Sequence, residues 1–192
     1  MSKQTQSNQI HIVLGLGKSG ISAAKLLKSE GKEVLVLENN TNEKLISISN
    51  KLESEGINVI LLDEQLNINN FTPWIGKIDT IIVSPGIEWE HKVLKELRSK
   101  NINIQGEVEV AWERLNHVPS IAITGTNGKT TVTNMLNHVL KSNGLNTDMG
   151  GNIGKALSKI ALESINNHHQ HLNWLVLELS SYQIEGSPKV EP

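Results

Sequence analysis

The stretch IHIVLGLGKSG, residues 10–20, runs from an apolar, β-branched segment through a glycine turn into a helix-like pattern. Its last six residues, GLGKSG (15–20), match G-x-G-x-x-G directly after a strand and at the start of a helix, the context that gives the pattern meaning. In that setting Gly15 permits the tight turn, Gly17 lets a pyrophosphate approach the backbone, and Gly20 allows close helix packing. The helix start then offers N–H groups to an anion. The same glycines could serve a turn without any ligand, but the strand-first placement favours a phosphate. Glu38 closes the next apolar run, EVLVLE (33–38), where a ribose hydroxyl or a base would be read.

Working outward, the runs INVILL (57–62), DTIIVSP (79–85) and INI (102–104) continue the alternation with amphipathic stretches of helical length. Near-continuous apolar strands suit a parallel sheet covered on both faces, and right-handed crossovers make it doubly wound. Gly31 and Gly56 read as helix C-terminal caps. The run GEVEVAWERL (106–115) is expected to complete this first unit, with NHVP (116–119) as connector. The pattern then restarts with SIAIT (120–124), a glycine turn, a helix from Thr130 to Asn143 ended by Gly144, the segment GGNIG (150–154), a further helix, and the strand WLVLELSS (174–181). The expected fold is α/β: a Rossmann-like, doubly wound parallel sheet in residues 1–117, then the start of a P-loop-type α/β domain in residues 118–192. That second part holds too few secure strands to close such a domain. The chain therefore reads as the N-terminal piece of a longer protein, or as a reduced version of one.

GTNGKTT (125–131) is the second chemistry-bearing turn. A full Walker A motif would need glycine at position 123, which is Ile123, so this loop is shorter. Its physical parts are nevertheless present. Gly125 and Gly128 let the backbone wrap, Lys129 supplies a point charge, and Thr130 a hydroxyl for Mg²⁺. A plain turn does not explain a lysine followed by two threonines at a helix start. Two phosphate-type loops imply two phosphorylated ligands, whereas a nicotinamide-dependent dehydrogenase needs one. Glu178, near the end of an apolar strand, is a candidate Mg²⁺ ligand because ligands gather at the carboxyl ends of parallel strands. His168, His169 and His171 lie in a polar stretch that reads as a solvated loop, and Trp74, Trp89, Trp112 and Trp174 as packing residues.

Composition narrows the classes. A formal charge of −2 offers no basic excess for a nucleic acid, so an anionic ligand must be met locally. The absence of cysteine removes disulfides, thiolate nucleophiles and cysteine-zinc sites, and accords with a reducing cytoplasm. No run of about 18 apolar residues occurs, and the polar opening MSKQTQSNQ is no export signal. A soluble, cytoplasmic protein without membrane or nucleic-acid partners is expected.

Taken in order, GLGKSG (15–20), VSPGI (83–87), GEVEV (106–110), ITGTNGKTT (123–131), GGNIG (150–154) and LELSSYQ (177–183) resemble the Mur ligases of peptidoglycan synthesis, most of all the D-glutamate-adding branch. The resemblance implies a three-domain enzyme that binds a UDP substrate, ATP and an amino acid in turn, the third domain lying beyond this chain. ATP would activate UDP-N-acetylmuramoyl-L-alanine as an acyl phosphate, and D-glutamate would attack to form an amide. It further implies that Gly125, Thr126, Asn127 and Gly128 surround the β-phosphate, with Lys129, Thr130 and Thr131 completing the ATP site. Thr130 and Glu178 would hold Mg²⁺, and Asn152 would face the substrate diphosphate. Lys18 and Ser19 would lie by the uridine within the Gly15–Gly20 turn, and Ser84, Pro85 and Gly86 at the mouth of the site. Glu38, Asn39 and Asn40 replace the aspartate, threonine and arginine usual at the uracil corner. No oligomer is implied for the parent. Alone, the chain is expected to be an inactive fragment; a non-catalytic nucleotide-binding module and, less favoured, a dehydrogenase are the alternatives.

Overall fold

A computed structural model describes residues 9–166 and 171–192, and the chain divides between Gln105 and Gly106 into two compact units. The first unit follows the βαβ alternation: β1 (Ile10–Leu14), α1 (Lys18–Ser29), β2 (Glu33–Glu38), α2 (Glu43–Ser54), β3 (Asn58–Leu61), two short 3-10 turns within 68–74, β4 (Ile78–Val83), α3 (Lys92–Ser99) and β5 (Asn103–Gly106). The strand order is β3-β2-β1-β4-β5, with β1 parallel to both β2 and β4. Every residue of β1 is buried, which is why its sequence does not alternate. On one face Ile10, Ile12 and Leu14 join Leu35, Leu37, Phe71, Ile81 and Val83 against Val93, Leu94 and Leu97 of α3. Because the chain leaves β1 towards β2 and returns on its other side as β4, the order reverses between β1 and β4. Open α/β sheets form their ligand crevices at such a point.

The glycine turn is held tightly there. Gly15 adopts φ +99° and its N–H donates to the Leu37 carbonyl at 2.8 Å. A methyl group on Gly20 would overlap the Gly15 carbonyl oxygen, so α1 can lie this close to the strand end only with glycine at that position.

The second unit contains α4 (Glu107–Leu115), β6 (Ser120–Ile123), α5 (Lys129–Ser142), β7 (Thr147–Gly151), α6 (Leu157–Asn166), β8 (Trp174–Glu178) and α7 (Ser181–Glu185). Its parallel sheet has the order β6-β8-β7. Three features differ from expectation. Residues 106–115 pack with the second unit rather than the first, so the division expected after residue 117 falls before α4. The cause is local: α4 packs on α6, the Gly106 N–H donates to the Gly186 carbonyl at 2.7 Å, and Lys189 pairs with Glu109 at 3.2 Å. Next, β7 is a strand although TDMGG has no apolar run. Finally, β8 stops at Glu178 instead of continuing to Ser181, because Ser180 caps α7. Its hydroxyl accepts from the Gln183 N–H at 3.3 Å while the Gln183 side chain accepts from the Ser180 N–H at 3.0 Å.

Gly20→Ala should lower the stability of the first unit by about 1–3 kcal/mol, the usual cost of forcing a group into a filled space. Urea titration followed by amide exchange will show faster exchange in β1 and β2 and none of this change in β8; equal exchange throughout would contradict the close approach.

Candidate functional site

In the first unit, register brings the strand ends together. Leu14 lies beside Leu37 of β2 and Val83 of β4, so the 15–17 turn, Glu38–Asn40 and Ser84–Gly86 leave the sheet at one end. Glu38 is buried, and one carboxylate oxygen accepts from the Leu16 N–H at 2.7 Å while the other accepts from Asn40 through N–H at 3.0 Å and Nδ2 at 3.1 Å. Its observed task is thus to brace the glycine turn. Gly17 and Lys18 are exposed at the start of α1, where no side chain caps the helix and no acidic residue occupies the first turn. That leaves an electropositive end open to an anion. Ser84 adds a buried hydroxyl without a hydrogen-bond partner, beside Gly15. Asn39 is exposed, with its side-chain oxygen accepting from Asn40 at 3.1 Å, and Gly86 is exposed next to the half-buried Pro85.

The second unit repeats the device. Ile123 of β6 and Gly151 of β7 both pair with Glu178, the last residue of β8, which places the 124–128 loop and the 152–156 turn at the same sheet end. Gly151 is required there, since a side chain would overlap the Glu178 carbonyl. The loop residues Gly125, Thr126, Asn127 and Gly128 are exposed, as are Thr130 and Thr131 in the first turn of α5. Gly128 precedes α5 in the left-handed conformation, with no side-chain cap. Lys129 folds back over its own loop, its ammonium donating to the Gly125 carbonyl at 2.6 Å and the Thr126 carbonyl at 3.4 Å.

Glu178 is 1% exposed. Its Oε1 accepts from Asn152 Nδ2 at 2.8 Å, and the Asn152 N–H donates to the Glu178 carbonyl at 2.7 Å. Its Oε2 is buried with no hydrogen-bond partner. A buried carboxylate oxygen without a donor is costly unless a ligand or cation completes it. Among the described residues no group of three or more His, Cys, Asp or Glu side chains gathers as a metal cage. His168 and His169 lie outside the described residues, and the carbonyl of His171 accepts from Asn146 Nδ2 at 2.9 Å. Lys155 is held between Asp148 at 2.8 Å and Glu163 at 2.7 Å, and their hydrogen bonds raise its pKa above the ordinary lysine value.

A residue outside both loops also bears on this end of the sheet. Glu107 of α4 is 1% exposed, and its Oε1 accepts from the Ser158 N–H in the first turn of α6 at 2.6 Å. Burial pushes its pKa above the ordinary carboxylate value, against the opposing hydrogen bonding of Ser158. The spacing of GEVEV gives no sign of this contact, which spans the two helices.

Residues 9–106 match the family described as Mur ligase MurD-like, N-terminal domain, and residues 123–191 the Mur ligase middle domain. Over 192 residues the chain is 78% identical to the UDP-N-acetylmuramoylalanine–D-glutamate ligase of Prochlorococcus marinus strain NATL2A, covering 100% of this chain and 41% of that protein. The ligase of the same name from Synechococcus sp. strain CC9605 is 46% identical over 181 residues, which is 94% of this chain and 39% of that one. The chain thus spans about two fifths of the length of these relatives. In fold it is similar to the crystal structure of UDP-N-acetylmuramate:L-alanyl-gamma-D-glutamyl-meso-diaminopimelate ligase from Neisseria meningitides, with TM-score 0.52 and 20% identity over 88% of this chain and 52% of that one. Among the described residues no helix is long and apolar enough to cross a membrane.

The raised pKa of Glu107 has a thermodynamic sign. Its contribution to stability is full below the ordinary glutamate value of 4.5 and is lost as pH rises through the raised folded value. In that window the wild type should lose up to about 1.4 kcal/mol of stability per pH unit relative to Glu107→Gln, which stays neutral. Urea unfolding of both proteins from acid to mildly alkaline pH will measure the difference; parallel profiles would contradict a buried, proton-holding carboxyl.

Proposed function

The chain belongs to the Mur ligase family, and on that premise we propose that it forms the substrate- and nucleotide-binding part of an ATP-dependent, ADP-forming ligase joining D-glutamate to UDP-N-acetylmuramoyl-L-alanine. The observation that carries this reading is the register of β8, which sets Glu178 between the ends of β6 and β7 with one carboxylate oxygen buried and without a partner. The two relatives described above bear the name of such a ligase.

Each side chain then has a task. The exposed N–H groups of Gly125–Gly128 wrap phosphate oxygens, and Lys129 turns from the Gly125 and Thr126 carbonyls to the transferring phosphoryl group. Thr131 closes the ATP side of the helix start. Thr130 and Glu178 fit a magnesium ion, since Mg²⁺ is commonly held by one or two carboxylates together with substrate phosphates, and the donor-free Oε2 is of the right chemistry. When bound, the ion neutralises charge on the phosphates. Asn152 fixes the other oxygen of Glu178, and in this reading it faces the substrate. In the first unit the Gly15–Gly20 turn, with Lys18, Ser19, Ser84, Pro85 and Gly86, receives the UDP moiety, and Asn39 borders the uracil side while Glu38 braces the turn from behind. A dehydrogenase would leave Lys129 and Thr130 without a task. ATP and a UDP-linked substrate assign this work to the cytoplasm.

Calorimetric titration tests both units. The chain should bind UDP-N-acetylmuramoyl-L-alanine more tightly than NAD, and preference for NAD would overturn the assignment of the first unit. It should also bind MgATP, and Lys129→Ala should weaken that binding about 10- to 100-fold, as expected for a charged hydrogen bond worth roughly 1.5–3 kcal/mol. Unchanged MgATP affinity in the variant would remove the short loop from the nucleotide site.

A further inference from the structure

We propose that Glu107 is the positioning residue for the Asn152–Glu178 pair. It acts from another helix, through the start of α6 and the 151–156 turn. The first N–H groups of a helix lack intrahelical acceptors, and in α6 that of Ser158 is taken by Glu107 Oε1 at 2.6 Å. The segment between Ser158 and Asn152 is tied back on itself at one point. The Gly151 N–H donates to the Lys155 carbonyl at 3.1 Å, closing the turn, and Gly150 bridges to Lys155. At its other end, Asn152 makes two hydrogen bonds to Glu178, one from the backbone at 2.7 Å and one from the side chain at 2.8 Å.

Glu107 can set this segment because its own helix is fixed. α4 packs on α6, Gly106 is bonded to Gly186 at 2.7 Å, and Glu109 pairs with Lys189 at 3.2 Å. The second oxygen of Glu107 is buried without a partner, so the carboxyl is kept at a desolvation cost that a merely space-filling residue would avoid. Release of the Ser158 N–H lets the start of α6 and the closed turn move together, and Asn152 leaves Glu178. The functional consequence rests on the assignment of Asn152 and Glu178 to the nucleotide site; the mechanical coupling does not.

The test uses the whole chain with Glu107→Met, which fills the space but accepts no hydrogen bond, and Glu107→Gln, which keeps an acceptor. Amide exchange by NMR should be about tenfold faster at Asn152 and Ser158 in Glu107→Met, the worth of roughly one hydrogen bond, with β1 and β2 unchanged. Glu107→Gln should match the wild type. MgATP affinity should fall severalfold in Glu107→Met and recover in Glu107→Gln, a readout that loss of a remote structural contact would not move. If Glu107→Met does not fold, Glu107→Leu carries the same expectation. Wild-type exchange at Asn152 in a folded acceptor-free variant, or fast exchange in Glu107→Gln, overturns the proposal. Absence of MgATP binding by the unsubstituted chain would instead overturn the nucleotide reading, and exchange at Asn152 would still decide the coupling.

Discussion

In-register parallel pairing along β8 is the constraint from which the second unit follows. Leu177 and Glu178 lie between Ala122–Ile123 on one side and Gly150–Gly151 on the other, so three chain segments must leave the sheet at one level. A parallel ladder gives them no alternative, because its strands all point the same way. Crowding at that level then fixes residue types. Gly151 is needed where a side chain would strike the Glu178 carbonyl, and Asn152 follows at hydrogen-bond distance. The first unit obeys the same rule around Leu14, with Gly20 making room for α1.

Three of the four glutamates buried among the described residues show how differently one side chain can be accommodated. Glu38 has both oxygens satisfied, one by the Leu16 N–H of the glycine turn and the other by Asn40. Glu107 has one oxygen satisfied across a helix pair, and burial keeps its proton on to higher pH. Glu178 has one oxygen satisfied by Asn152 and the other turned to no donor, at the end of the sheet where loops gather. The first arrangement stabilises a loop, the second joins two helices, and the third is suited to receiving something from outside the chain.

What was legible in the sequence was what periodicity and backbone chemistry determine locally. β1, β2 and β4 announce themselves because strands covered on both faces are apolar along most of their length, and both glycine turns because few residues tolerate such bends before a helix. The allegiance of α4 was not legible: its pattern says that Val108, Ala111, Trp112 and Leu115 are buried, but not against which partner. β7 was hidden because Gly150 and Gly151 are chosen for closeness to α6 and β8 rather than for strand propensity. Apolar Leu179 hides the end of β8, although Ser180 and Gln183 at capping spacing carry the signal. Among the candidate site residues, Lys129, Thr130 and Glu178 stand out by motif and strand position and Asn152 only through the family resemblance, whereas the bracing by Glu38 and the reach of Glu107 to Ser158 depend on tertiary neighbours that no local window contains.

The folded-back posture of Lys129 sets a threshold on what the short loop will accept. An ammonium left in water would give up hydration to meet an anion. This one is already engaged by the Gly125 and Thr126 carbonyls, so a newcomer gains only the difference between its own hold on the cation and theirs. A singly charged or diffuse anion has little surplus over two carbonyl dipoles, whereas a polyphosphate with several charged oxygens has a large one. The internal bonds therefore set a cost that an anion must exceed before it draws the ammonium from its carbonyls, and that cost weighs least on a ligand with several charged oxygens.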